Sequence, residues 1–197
     1  LYIRLQLYYT YFFMTAPAYR AVSYSQTVLT ELMIPSYANF GGKIHGGILL
    51  SLMDKVAYAC AAKHAGNYCV TVSVDGVNFL QPVEVGELVS LLASVNYVGN
   101  TSLMVGIKVI SENVKSGFVK HTNTSYFTMV AKGDDDKPAQ VPGLKLESRE
   151  DARRFLEAIK RRELSRRYQT ELANTKTILQ VEDDLHLLQD ERCKIMF

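Results

Sequence analysis

The sequence predicts an α+β fold in which one long central helix is wrapped by a curved antiparallel sheet, with a helical tail after it. Three observations predict it. Residues 48–66, "ILLSLMDKVAYACAAKHAG", are almost wholly apolar, rich in helix formers, and end in Lys63, His64 and Gly66. From Cys69 the apolar period becomes two, in long segments joined by short polar turns. From Leu146 the chain turns charged and helical.

The first stretch, "LYIRLQLYYTYFF", is apolar and aromatic but shorter than the roughly 20 residues that a membrane-spanning helix needs. The "TAPA" after it has the small residues of a signal-peptidase site, yet the region before it is aromatic rather than rich in Leu and Ala. The preferred reading takes Met14 as the natural start and residues 1–13 as upstream or cloning-derived sequence, within an N-terminal extension 1–23. "SQTVLTELMI" (25–34) is β-branched and loosely alternating, so it reads as a strand that Pro35 stops. A polar, Gly-rich loop runs from Ser36 to about Gly47. The helix follows, with cations in its last turn and glycine just past its end. Being apolar nearly all round, it is expected to be buried on most sides.

"CVTVSVDGVNF" places Val70, Val72 and Val74 on one strand face and Thr71, Ser73 and Asp75 on the other. "LQPVEVGE" is a turn-bearing connection. Residues 88–98 form a strand, "GNTS" a tight turn, "LMVGIKVISEN" the returning strand, and 118–132 another that "GDDDKP" ends. Long consecutive strands with short connections make the sheet mostly antiparallel. The domain so built spans 24–142. Residues 143–197 form the helical tail, opened by a capping-box-like pair, Ser148 and Asp151. Phe155, Leu156 and Ile159 give it one narrow apolar stripe, and a weaker amphipathic pattern continues through Leu185 and Leu188. The tail is expected to pack on a partner or on the chain's own sheet.

Composition bounds the function classes. Hydrophobic residues make up 48% and charged ones 21%, a normal globular balance. The net charge of +2 gives no reason to expect a nucleic-acid partner, and no stretch is long and apolar enough to predict a membrane one. Cys60, Cys69 and Cys193 never form a CxxC pair and the histidines are isolated. Neither a disulfide framework nor a metal site is expected, and a reducing, cytoplasmic compartment is.

The chemistry concentrates in "NFGGKIHGGILLSLMDK" (39–55). Gly46 and Gly47 lie where loop becomes helix. A helix N-terminus exposes unpaired N–H groups and partial positive charge, and glycine lets a ligand oxygen come close. If that oxygen is a carbonyl gaining negative charge, the site is an oxyanion hole. Asp54 lies about two turns into the apolar helix, where a lone carboxylate is costly without partners or a purpose. Asn39 offers an amide that can orient water or substrate. His45 reads first as a structural residue beside glycines. The plainer account has Asn39 capping the loop, the glycines making a tight turn and Asp54 pairing with a lysine. In a helix Gly47 and Asp54 are about 10 Å apart, whereas a group attacking a carbonyl works within about 3.5 Å. The simplest solution is two antiparallel helices across a two-fold axis. Each site then takes Asn39 and Gly47 from one protomer and Asp54 from the other.

These residues, with "TVSVDGVNFLQPVEVGELV", "YVGNTSL" and "TNTSYFTMVA" in the same order, resemble the hotdog-fold acyl-CoA thioesterases over about residues 25–142. The resemblance implies the hotdog fold and hydrolysis of fatty acyl-CoA without metal or further cofactor. It implies an obligatory dimer and a trimer of dimers as the assembly. It places the family's catalytic asparagine on Asn39, its oxyanion glycine on Gly47 and its helix aspartate on Asp54, as base or nucleophile. His45 and Gly46 accompany them as substrate contacts, and Val74, Asp75 and Phe79 are expected in the acyl pocket wall. Many relatives carry an arginine by the coenzyme A phosphates where this chain has Asn100. Asn100, Thr101 and Ser102 are therefore expected to bind through turn N–H groups and hydroxyls. The cation would come from Lys132 or from the run "KRR" (160–162), which also reads as a solvated helix face. Two other readings share the fold: a hydratase or dehydratase using His45, and a non-enzymatic acyl-CoA-binding module.

Overall fold

The structure, a computed structural model, describes residues 18–197. The expectations for residues 1–13 lie outside the described residues. The described chain divides into two compact units, the first ending at Ala158 and the second Ile159–Phe197.

The first unit holds a five-stranded antiparallel sheet in the order β2-β4-β5-β6-β3. Its strands are β2 (Thr27–Leu32), β3 (Tyr68–Val74), β4 (Glu87–Val98), β5 (Ser102–Asn113) and β6 (Phe118–Lys132). They follow the predicted segments closely, because period-two patterning and the turns at "GNTS" and after Asn113 fix both register and direction. β1 (Tyr19–Ala21) pairs in parallel with β7 (Gly143–Lys145), a small second sheet that three-residue segments do not announce in sequence. A short helix α1 (Val22–Ser25) joins β1 to β2.

The long helix α2 (Gly46–Ala65) lies against one face of the large sheet. Leu49, Leu52, Met53, Val56, Ala57, Cys60 and Ala61 are buried against Val89, Leu91, Val95, Val105, Ile107 and Phe127, from β4, β5 and β6. Each large apolar side chain so buried contributes about 1.5–3 kcal/mol, so tertiary packing rather than helix propensity holds α2. Gly66, at φ 73, ends it in the left-handed conformation, and Arg20 Nη1 donates to the last carbonyls, of Lys63 and His64. The expectation of burial on most sides is corrected: Leu50, Ser51, Asp54, Lys55 and Tyr58 form an exposed face in the single protomer.

The simple alternation read for β3 is also corrected. A register shift between Thr71 and Ser73 inserts Val72 as a bulge, and Val72 and Val74 are exposed. Helix α3 (Arg149–Ile178) opens as a reciprocal capping box. The Asp151 N–H donates to Ser148 Oγ and the Ser148 N–H to Asp151 Oδ2. Of the apolar stripe read from sequence only Phe155 packs, its ring against Tyr97; Ala158 is fully buried with it, whereas Leu156 and Ile159 are exposed.

The second unit continues α3 from Ile159 and adds α4 (Val181–Asp184) and a 3-10 turn, Leu185–Leu188. Along the helix Glu163 pairs with both Lys160 and Arg167.

Candidate active site

The loop before α2 is folded around Asn39. Its Oδ1 accepts from the N–H groups of Gly41 and Lys43, and its own N–H donates to the Lys43 carbonyl at 2.7 Å. An asparagine does this naturally, because its carboxamide reaches the backbone two residues on. Lys43 is tied by an ion pair to Glu84, so the loop is anchored to the segment before β4. Phe40 stands fully exposed at its tip.

His45 is the N-cap of α2, and the Gly47 N–H donates to its Nδ1 at 2.9 Å. The donor that the sequence reading gave to a substrate oxygen is thus engaged by His45 in this state. The Phe79 ring lies 3.2 Å from where a Cβ on Gly46 would stand. Gly46 therefore lets an aromatic side chain cover the helix N-terminus. Asn39, His45, Gly46, Gly47 and Phe79 share this one end of α2.

Asp54 lies on the exposed face of α2, where Thr71 Oγ1 from β3 donates to its Oδ1 at 2.6 Å. The expected lone buried carboxylate is corrected on both counts, since Asp54 is exposed in the protomer and has a hydroxyl partner. Thr71 was read only as a residue on the polar face of β3. Its role comes from the strand returning beside the helix, which no local motif encodes. Helix rise keeps Asp54 about 10 Å from the Gly47 end, so one protomer does not bring the two together.

The remaining candidates fall in two other places. Val74 is exposed at the end of β3, and the Asp75 N–H donates to the Tyr126 carbonyl. Asn100, Thr101 and Ser102 form the β4–β5 turn, which is fastened by its own backbone. The carbonyl of Asn100 accepts from Val141, that of Thr101 from Ala131, and that of Ser102 from Gly99. Lys132 lies beyond the end of this pairing, its Nζ donating to the Asp136 carbonyl at 2.7 Å and lying 3.5 Å from the Asp136 carboxylate. Burial pushes the Cys60 thiol up to about 12 and the Cys69 thiol up to about 11, so neither supplies a thiolate. Among the described residues no three His, Cys, Asp or Glu side chains gather as metal ligands, and no helix is long and apolar enough to cross a membrane.

Residues 41–118 match the family described as the thioesterase superfamily. Protein VdlD of Helicobacter pylori is 46% identical over 143 residues, covering 73% of this chain and 82% of that one. A solved hexameric acyl-CoA thioesterase, in its apo form, is 34% identical at a TM-score of 0.75, covering 77% of this chain and 97% of its own. The Staphylococcus aureus acyl-CoA hydrolase, solved with butyryl coenzyme A, coenzyme A and coenzyme A disulfide, is 30% identical at a TM-score of 0.72. That match covers 81% of this chain and 96% of the other. Variants of the S. aureus protein with an aspartate, a threonine or an asparagine changed to alanine have also been solved.

Proposed function

From a chain that belongs to the hotdog-fold acyl-CoA thioesterases, and is thus a thioester hydrolase acting on acyl-CoA, we infer a fatty acyl-CoA hydrolase whose active site is completed between two protomers. Asn39 and Gly47 of one protomer meet Asp54 and Thr71 of the other. The observation that carries this reading is the exposed Asp54–Thr71 pair beside a sheet edge that has no strand partner among the described residues. β3 is an edge strand, and Tyr68, Val72 and Val74 on it are exposed beside Leu50 and Tyr58 of α2. An apolar edge of this kind pairs readily with a second copy. Antiparallel α2 helices across a two-fold axis would carry Asp54 toward the partner's helix N-terminus. The three alanine variants solved for the S. aureus hydrolase support the same set. Their asparagine, aspartate and threonine are spaced along that chain as Asn39, Asp54 and Thr71 are along this one.

In this reading the thioester carbonyl oxygen takes over the Gly47 N–H, displacing the His45 imidazole from it. The α2 N-terminus then stabilises the oxyanion as it forms. Thr71 fixes one oxygen of Asp54 and leaves the other to act. As a base, Asp54 takes a proton from a water held by Asn39. The water oxygen bonds to the carbonyl carbon, the C–S bond breaks, and the coenzyme A sulfur leaves with a proton. As a nucleophile, Asp54 itself bonds to that carbon, the C–S bond breaks and the coenzyme A sulfur leaves and takes a proton; water then cleaves the resulting anhydride to the free acid and the Asp54 carboxylate. Val74 and Phe79 line the acyl end. Asn100, Thr101, Ser102 and Lys132 hold the coenzyme A end, with no further cofactor and in a cytoplasmic setting. Three such dimers form a hexamer.

Thiol release across a series of acyl-CoA chain lengths tests the substrate class, and Asp54→Ala should nearly abolish it. Mixing inactive Asn39→Ala with inactive Asp54→Ala tests the sharing. In mixed dimers one site regains both native halves, so about a quarter of the activity should return. No recovery after verified subunit exchange would place each site within one protomer.

A further inference from the structure

The face of the sheet turned away from α2 carries a concavity of 570 Å³. Along β4 and β5 the side chains packed on α2 alternate with an outward set that includes Ser94, Gly106 and Lys108. Ser94 pairs with Gly106, and Gly106 with Tyr126, so a bare glycine sits between two polar side chains in one cross-strand row. Asn96 fills the opening. It is the extra residue of a β4 bulge, between Val95 and Tyr97 in the register, and a Cβ on Gly106 would collide with its Nδ2. The Asn96 side chain is held from behind, its Oδ1 accepting from Ser94 Oγ at 3.0 Å. Asn96 is only 6% exposed, yet its Nδ2 has no hydrogen-bond partner among the described residues and lines the cavity.

Cations complete the lining. Arg154 enters from the first turns of α3, with Nη1 on Ser94 Oγ and Nε on Glu150. Lys108 rises from the floor of the cavity with no ion-pair partner among the described residues. Among the described residues no Asp or Glu lines the cavity. A nearly buried amide, the Lys108 ammonium and the Arg154 guanidinium thus line one space, with Arg154 paired to Glu150 and the neighbouring Arg153 held by Glu150 and Glu157. We propose that this cavity binds the phosphate group of a phosphorylated small molecule, with Asn96, Lys108 and Arg154 as its donors. A tetrahedral phosphate presents oxygens in several directions to donors arriving from floor and wall, which a planar carboxylate does not. The volume lies within the range of ordinary small-molecule sites, so there is room for the group that carries the phosphate.

Titration calorimetry on the full chain tests this with inorganic pyrophosphate, coenzyme A and phosphate-free pantetheine. Pyrophosphate should bind with heat and pantetheine should not bind at this site. Lys108→Gln, and Asn96→Asp, which replaces the amide donors by a carboxylate of the same shape, should each weaken pyrophosphate at least tenfold. Circular dichroism confirms the fold of each variant. Hydrogen-exchange protection of 92–96 and 106–108 by pyrophosphate in the unaltered protein gives a readout that needs no variant. If the variants also raise KM for acyl-CoA, the phosphates are those of coenzyme A. If KM and kcat are unchanged, the site serves a separate phosphorylated ligand. Pyrophosphate binding that is absent, or equal in both variants with no protection of those strands, overturns the proposal while leaving the thioesterase reading untouched.

Discussion

The hydroxyl of Thr71 donates to Asp54 at 2.6 Å, so one carboxylate oxygen is oriented before any substrate arrives. Thr71→Val keeps the shape and removes the donor. It should lower kcat for thiol release about tenfold or more, and Thr71→Ser should restore most of it. Because Thr71 is exposed in the protomer, stability should change by about 0.5 kcal/mol or less, which thermal unfolding checks. Lys120 presents the opposite case. It pairs with nearly buried Glu87 at 2.7 Å, and Ser111 Oγ donates to the same carboxylate. Burial pulls the Glu87 pKa upward, but Lys120, Ser111 and the Glu84 N–H together hold it below the usual carboxylate value. Lys120→Met leaves that charge enclosed and should cost about 3 kcal/mol in urea unfolding, with kcat for the remaining folded protein unchanged. The placement of Asn39 in a loop before α2, of Gly47 in its first turn and of Asp54 further along it was legible because an amide, glycine pairs and an acid around an apolar run are a local pattern. Thr71 and the His45–Gly47 bond were not, since each partnership depends on where the backbone turns.

At the scale of elements, the C-terminal end of α2 is fastened by His64. The ring is fully buried, its Nε2 donating to the Pro142 carbonyl at 3.1 Å while Nδ1 faces Ser25 Oγ. Burial pushes the His64 pKa down, the Pro142 carbonyl partly opposes that, and the Arg20 charge adds to the lowering. The folded state therefore refuses a proton that the unfolded chain accepts near pH 6.5. Stability is complete above that pH and falls as pH drops below it. Thermal midpoints measured from pH 7.5 to 5 should decline, and His64→Gln should flatten the decline. At α3 the reciprocal bonds of Ser148 and Asp151 make Ser148→Ala worth about 1 kcal/mol of stability. That cap was legible because a capping box lies within four residues. The long strands and α2 were legible for the same reason, as each is a sustained period. The β1–β7 pair joins segments more than a hundred residues apart and leaves no period to detect. The Val72 bulge and the true packed face of α3 depend on neighbours, Met129 and Tyr97 among them, that sequence spacing does not reveal.

For the whole molecule, the decisive quantity is what the exposed face of α2 and β3 does in solution. Val72 is 61% exposed on a sheet edge, so a protomer alone leaves both backbone donors and apolar surface open to water there. A stable protein–protein contact buries about 1,200–2,000 Å², and the exposed Leu50, Tyr58, Tyr68, Val72 and Val74 offer apolar surface toward one, with Asp54 exposed on the same helix as Leu50 and Tyr58. In the dimer proposed above, Val72→Lys would put a charge into the apolar contact and should weaken it while sparing the protomer, whose core does not include Val72. Loss of activity alone would not separate that from a local effect on Asp54, so concentration is the useful variable. If each site needs both protomers, the specific activity of Val72→Lys should rise with protein concentration, in step with the dimer fraction seen by sedimentation. The unaltered protein should lose activity only on dilution below its own dimer dissociation constant. A Val72→Lys monomer that keeps full turnover per chain at high dilution would show that one protomer brings the amides and the carboxylate together unaided.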